Sequence, residues 1–134
     1  MIYALDTNIV GHLIQRSPIV RAQRDAVLDH GSELIIPPFV NYEIRRGFFY
    51  QSAPVREKAY ILLCLQYPIG EMTVRAWEHA ANIYASLRRR GYTIEDADIL
   101  IAAFCLVNSY ILVTNNTRHF ERIDGLQLVD WTQK

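Results

Sequence analysis

Cysteine is scarce in this chain: two in 134 residues, Cys64 and Cys105, with no CxxC or Cys/His spacing. Both lie inside apolar stretches, "ILLCLQ" and "IAAFCLV", which argues against a thiolate zinc site and for buried, reduced thiols. An excess of charge is missing too, since Lys plus Arg and Asp plus Glu both number 14. Global charge therefore points to neither a polyanion nor a membrane surface, and any phosphate contact must come from local clustering. The longest apolar run, Ile99 to Val107, falls short of the roughly 20 residues that cross a bilayer. The first residues lack a basic leader followed by a long apolar segment, so the expectation is a soluble, cytoplasmic protein. Internal repeats, low-complexity tracts and linkers are also absent, and one domain over residues 1–134 is expected.

A hydrophobic fraction of 51% is enough for a packed core. Short β-branched and aromatic runs at 2–5 (IYAL), 33–37 (ELIIP), 110–114 (YILVT) and 126–130 (LQLVD) read as strands. Helical patterns fill the intervals: 8–16, 19–30, 38–50 behind Pro37-Pro38, 54–66, 73–90 ending at Gly91, and 94–108, apolar on nearly all sides. Strands separated by helices predict a three-layer α/β/α architecture around a central, mainly parallel sheet. Its functional crevice lies beyond the carboxyl ends of the strands, and Asp6 and Asn115-Asn116 both follow strand ends there.

Three acids stand where a solvated surface residue is not expected. Asp6 ends the first apolar run; it is either a helix cap, a job Thr7 or Asn8 can also do, or part of a site. Glu43 lies on the stripe traced by Val40, Ile44, Gly47 and Phe48, with a salt bridge to Arg46 as the structural alternative. Asp98 heads an apolar helix, where the helix dipole favours its ionised form. Thr93 and Asp96 approximate a capping box, and Glu95 shares a direction with Asp98. Converging carboxylates repel unless one protonates or a cation joins them. With oxygen donors alone, that cation is Mg²⁺ or Mn²⁺, which activates water and stabilises the oxyanions of a phosphodiester.

The segments "LDTN", "YEIRRG", "DILIAA" and "VTNNTRHF", in this order and closing with "LQLVDW", resemble a PIN domain. The form is similar to the VapC-type toxin ribonucleases of type II toxin–antitoxin modules, over residues 2 to about 131. The resemblance implies a metal site in which Asp6, Glu43 and Asp98 take the first three acidic positions. The fourth falls on Asn116, an amide that gives a carbonyl ligand or holds a water. His119 stands where many of these toxins carry an acid, leaving fewer charges for a second ion. Thr114 is expected to steady Asp6 or a water, with Thr7 beside it. The resemblance also implies an RNA substrate, a homodimer, and a VapB-type antitoxin covering the cleft.

Arg45, Arg46 and Arg118 adjoin the proposed metal residues and are the expected RNA contacts, with His119 either joining them or facing solvent. Arg88, Arg89 and Arg90 fan around a helix end and read mainly as solvated charges. The resulting expectation is a Mg²⁺- or Mn²⁺-dependent endoribonuclease acting as a toxin. Two alternatives stand beside it: a catalytically weak PIN fold that binds RNA or a protein, and an HAD-like phosphatase using Asp6 as nucleophile. The latter normally needs an acid two positions on, where this chain has Asn8.

Overall fold

The computed structural model describes residues 1–133. Four strands, β1 (Ile2–Leu5), β2 (Glu33–Ile35), β3 (Ile111–Val113) and β4 (Leu128–Val129), form one sheet in the order β2-β1-β3-β4. Every pairing is parallel: Tyr3 lies opposite Leu34 and Ile111, and Leu112 opposite Leu128. Parallel neighbours require crossover helices, and the intervals supply them: α1 (Thr7–Ile14), α2 (Pro18–Asp29), α3 (Pro38–Tyr50), α4 (Pro54–Gln66), α5 (Val74–Arg89), α6 (Asp96–Asn108) and α7 (Thr117–Phe120). The result is the three-layer α/β/α arrangement that the alternation of patterns predicts.

The elements start and stop for local reasons. Prolines occupy the first helical position of α2, α3 and α4, where a missing N–H costs nothing. Thr73 caps α5 by accepting from the Ala76 N–H at 3.1 Å. Gly91, at φ +82°, turns the chain away from the end of α5. Pro37, lacking a ladder donor, follows a strand that is shorter than 33–37 suggests. Ile36 instead forms an isolated parallel bridge to Ile69. The Thr93–Asp96 capping box does not form: α6 begins at Asp96 with Glu95 in the cap position and no side-chain capping bond. Helix α7 is too short to leave a periodic signal in sequence.

Helix α6 is the hub. Ile99, Ile101, Ala102, Ala103, Phe104 and Cys105 are all buried, which is why it reads as apolar almost all round. It packs on α5 and α3, and each large side chain withdrawn from water contributes roughly 1.5–3 kcal/mol. Among the aromatics and aliphatics of α3 and α4, Tyr60 and Leu63 join the core, whereas Phe49, Tyr50 and Ile61 stay exposed. No helix among the described residues is long and apolar enough to cross a membrane.

The sheet order fixes where a site can lie. From β1 the chain first adds β2 on one side, then returns through α3 to α6 to add β3 on the other. The order reverses between β1 and β3, and the helices leaving such a point diverge, opening a crevice at the strands' carboxyl ends. Asp6 and Thr114 are the first residues beyond those two ends.

Candidate active site

Asp6 is held from three directions. Its backbone N–H donates to the Val113 carbonyl at 3.0 Å, continuing the β1–β3 ladder by one residue. Its carbonyl accepts from Ile9 and Val10, so Asp6 is itself the cap of α1. The side chain also caps: Oδ1 accepts the Thr7 N–H at 2.8 Å. Neither Thr7 nor Asn8 relieves it of that role, contrary to the division of labour suggested by sequence. Oδ2 accepts the Thr114 hydroxyl at 2.7 Å. Only 7% of Asp6 remains exposed, and burial pushes its pKa up, against the opposing pull of the Thr114 and Thr7 hydrogen bonds.

Asp98 lies in the first turn of α6 and is also raised. Burial is the main cause, the negative charge of Asp6 adds to it, and the neighbouring His119 works in the opposite direction. His119 Nε2 stands 2.8 Å from Asp98 Oδ2. This pairing answers the question left open for His119: it faces the acidic cleft. Glu95 contributes a smaller repulsion to Asp98, while Asp96 is exposed at the rim.

Glu43 reaches the same region from α3. Its Oε1 accepts the Thr7 hydroxyl at 2.8 Å, and its Oε2 lies 3.7 Å from Arg46 Nη2. Thr7 thus links two acids, its N–H on Asp6 and its hydroxyl on Glu43. Thr114, wholly buried, accepts the Asn116 N–H at 3.0 Å besides donating to Asp6, which fixes the backbone of Asn116 at the cleft edge. The Asn116 side chain makes no capping bond with α7. Asn115, not Asn116, meets the start of α1, accepting from Asn8 Nδ2 at 3.2 Å.

Of the expected RNA contacts, Arg45 donates to Asn41 at 3.3 Å and lies over the Tyr60 ring, and Arg46 lies over Tyr42 beside its contact with Glu43. Arg118 is exposed on α7. Sequence spacing gives no sign of the Asp98–His119 pair or the Thr7–Glu43 bond, because each joins segments that only the crossover topology brings together.

Among the described residues no three His, Cys, Asp or Glu side chains are gathered closely enough to hold one ion. The chemistry of the donors nonetheless fits a hard divalent cation: a buried carboxylate, Asp6, a half-buried one, Asp98, that feels its charge, a third on an adjoining helix, and no thiolate.

A parallel sheet with acids at its reversal point defines a class of α/β proteins with an acidic crevice at the carboxyl ends of its strands. The match to the PIN domain model over residues 3–126 assigns the class: the chain belongs to the PIN-domain family, in its VapC branch. It is 30% identical to Ribonuclease VapC1 of Haemophilus influenzae strain R2866, over 99% of this chain and 100% of that one. It is 31% identical to the tRNA(fMet)-specific endonuclease VapC of Shigella flexneri, over 97% and 98%. The solved structure of VapBC-1 from nontypeable Haemophilus influenzae superposes with a TM-score of 0.88 at 30% identity, covering 99% of this chain and 100% of that one. VapBC2 from Rickettsia felis, bound to a DNA fragment from its promoter, shares the fold with a TM-score of 0.90 at 23% identity, over 98% and 99%.

Proposed function

We propose that this protein is a metal-dependent endoribonuclease, the toxin of a type II toxin–antitoxin module, partnered by a VapB-type antitoxin and acting as a cytoplasmic homodimer. The observation that carries the reading is the buried carboxylate of Asp6 and the half-buried one of Asp98, which feels the Asp6 charge, at the reversal point of a PIN-domain sheet. Among the described residues no cationic side chain pairs with Asp6; leaving its buried charge uncompensated is costly, and a divalent cation offsets that cost.

Asp6, Asp98 and Glu43 would hold Mg²⁺ or Mn²⁺. The bound ion would supply activation of water and stabilisation of negative charge on the phosphodiester oxygens. Thr114 donates to Asp6 and so favours its ionised form as well as its orientation. Thr7 sets the spacing between Asp6 and Glu43, and the Glu43 oxygen now 3.7 Å from Arg46 would be the one available to the ion. Asn116, held through its N–H, offers a neutral amide to orient the attacking water. His119 pairs with Asp98 and favours its ionised form against the burial that raises its pKa. Arg45, Arg46 and Arg118 border this region and supply positive charge toward the RNA backbone. The phosphatase reading loses ground because Asn8, where its second acid would stand, is an exposed amide bonded to Asn115.

The test is incubation of the purified protein with structured RNAs, with and without Mn²⁺, followed by mapping of the cleaved ends. Cleavage that requires the cation and stops in EDTA is expected. Metal-independent cleavage overturns the mechanism, and tight RNA binding without turnover in Mn²⁺ favours the binding-only PIN fold.

A further inference from the structure

We propose that Arg122, Arg90 and Tyr92 form a phosphate-binding platform that grips single-stranded RNA where it leaves the carboxylate cleft. This inference rests on the ribonuclease reading and names a binding surface within it. Tyr92 follows the Gly91 turn, with its N–H returned to the Leu87 carbonyl at 2.9 Å. Tyr92 keeps 38% of its surface exposed. Two guanidinium groups converge on that one ring: Arg122 Cζ lies 4.5 Å from its centroid and Arg90 Cζ 5.6 Å. Arg90 Nη2 also donates to the Arg122 carbonyl at 2.8 Å, tying the end of α5 to the segment after α7.

Two like charges sharing one face of a fold repel, and exposed cation–π contacts return only about 0.5–1 kcal/mol each. No carboxylate among the described residues lies within salt-bridge distance of either group, although Asp124 lines the same cleft along α5 as Arg90. A guanidinium over a ring keeps N–H donors that can reach a phosphate, and an exposed aromatic ring beside it can stack a base. Arg46 and Arg45, by contrast, each meet a neighbour on α3, Glu43 and Asn41.

The platform and the cleft are built on the same two segments. Arg122 follows His119 by three residues, in the turn that closes α7 and is held by Glu121 N–H to Thr117 and Ile123 N–H to Phe120. Tyr92 runs through Thr93–Glu95 into the turn that bears Asp98, and Asp98 and His119 are themselves paired. Arg88 is different: it stacks on Tyr84 of its own helix and bonds its hydroxyl, without reaching the segment after α7. It serves as a control of equal charge.

The experiment measures binding of a short, unstructured, end-labelled RNA to the full chain by fluorescence anisotropy, over a salt series, in an Asp6→Asn background that blocks cleavage. Cleavage kinetics are measured in parallel without that background change. Arg122→Gln is expected to weaken binding several-fold and to lower the slope of log K against log[salt] by about 0.7 per lost phosphate contact. It should raise KM while leaving kcat and the Mn²⁺ requirement unchanged, with Arg122→Lys restoring the salt slope in part. Tyr92→Phe should bind as the parent does, and Tyr92→Ala should behave like Arg122→Gln. Unchanged affinity and salt slope in Arg122→Gln overturn the platform, as does an equal loss in Arg88→Gln. A defect confined to antitoxin binding overturns it as well, assigning the surface to the protein partner. If the parent binds RNA through these residues but never cleaves it in Mn²⁺, the nuclease reading fails and the platform stands.

Discussion

The Thr114 hydroxyl donates to Asp6 Oδ2 at 2.7 Å, joining the carboxyl ends of β3 and β1 across 108 residues of sequence. The Thr114 hydroxyl oxygen in turn accepts the Asn116 N–H at 3.0 Å. One buried hydroxyl therefore orients the most deeply buried acid of the cleft and anchors the loop that borders it.

Thr114→Val, close in shape but without the hydroxyl, leaves both Asp6 and the Asn116 N–H short of a partner. A loss of about 1–3 kcal/mol of stability follows from burying unpaired polar groups. Loss of the oriented carboxylate should slow cleavage by about tenfold or more, the scale seen when supporting bonds behind metal ligands are removed. Thr114→Ser should retain most of both. Chemical denaturation and Mn²⁺-dependent RNA cleavage measure the two effects separately, and equal behaviour of the Val and Ser variants contradicts this role.

Asp6 carries a stability cost in the metal-free protein. Its folded pKa lies above the ordinary 3.8, so between 3.8 and the raised value the folded chain holds a proton that the unfolded chain has released. Stability therefore falls as pH rises through that window, and the penalty persists at neutral pH. Asp6→Asn removes the charge while keeping a good cap. Metal-free melting at neutral pH should rise by a few degrees, each kcal/mol being worth roughly 3–6 °C at this size. Cleavage should vanish, and Mn²⁺ should raise the melting temperature of the parent but not of the variant. A variant that melts lower than the parent in the absence of metal argues against an uncompensated charge.

Glu43 and Arg46 are separable. Arg46 is 56% exposed and sits 3.7 Å from Glu43, a surface contact of the kind worth about 0–1 kcal/mol. Arg46→Ala should leave folding nearly unchanged. Glu43→Gln retains an acceptor for the Thr7 hydroxyl but loses the charge offered to the ion. It should raise the Mn²⁺ concentration for half-maximal cleavage by about tenfold or more, the order of effect expected at a metal site, with little change in melting temperature. A titration of cleavage rate against Mn²⁺ decides, and an unchanged midpoint removes Glu43 from the ligand set.

His119 works on Asp98 through charge and a hydrogen bond, both of which lower the raised Asp98 pKa. Removing them in His119→Ala lets that pKa climb further. Asp98 must be ionised to hold a cation, so the acid limb of the pH–rate profile should move to higher pH. His119→Gln, which keeps a donor without the charge, should shift it less. The profile of kcat/KM against pH at saturating Mn²⁺ measures this; an unmoved acid limb in His119→Ala rules it out.

The sequence by itself determined the alternation of short apolar strands and amphipathic helices, since strand and helix periods and proline and glycine stops are local properties. It also marked Asp6, Glu43 and Asp98, because a carboxylate beside or within an apolar run carries a cost that local pattern reveals. What those acids touch was decided only by tertiary structure. The order β2-β1-β3-β4 brings Asp6 to Thr114, Asp98 to His119 and Glu43 to Thr7, and it carries Arg122 onto Tyr92. Hydrogen bonding and desolvation depend on distances between segments far apart in the chain, and residue spacing holds no record of those distances. For the same reason, an arginine run that reads as a solvated helix end becomes, at Arg90, one half of a two-segment cation cluster.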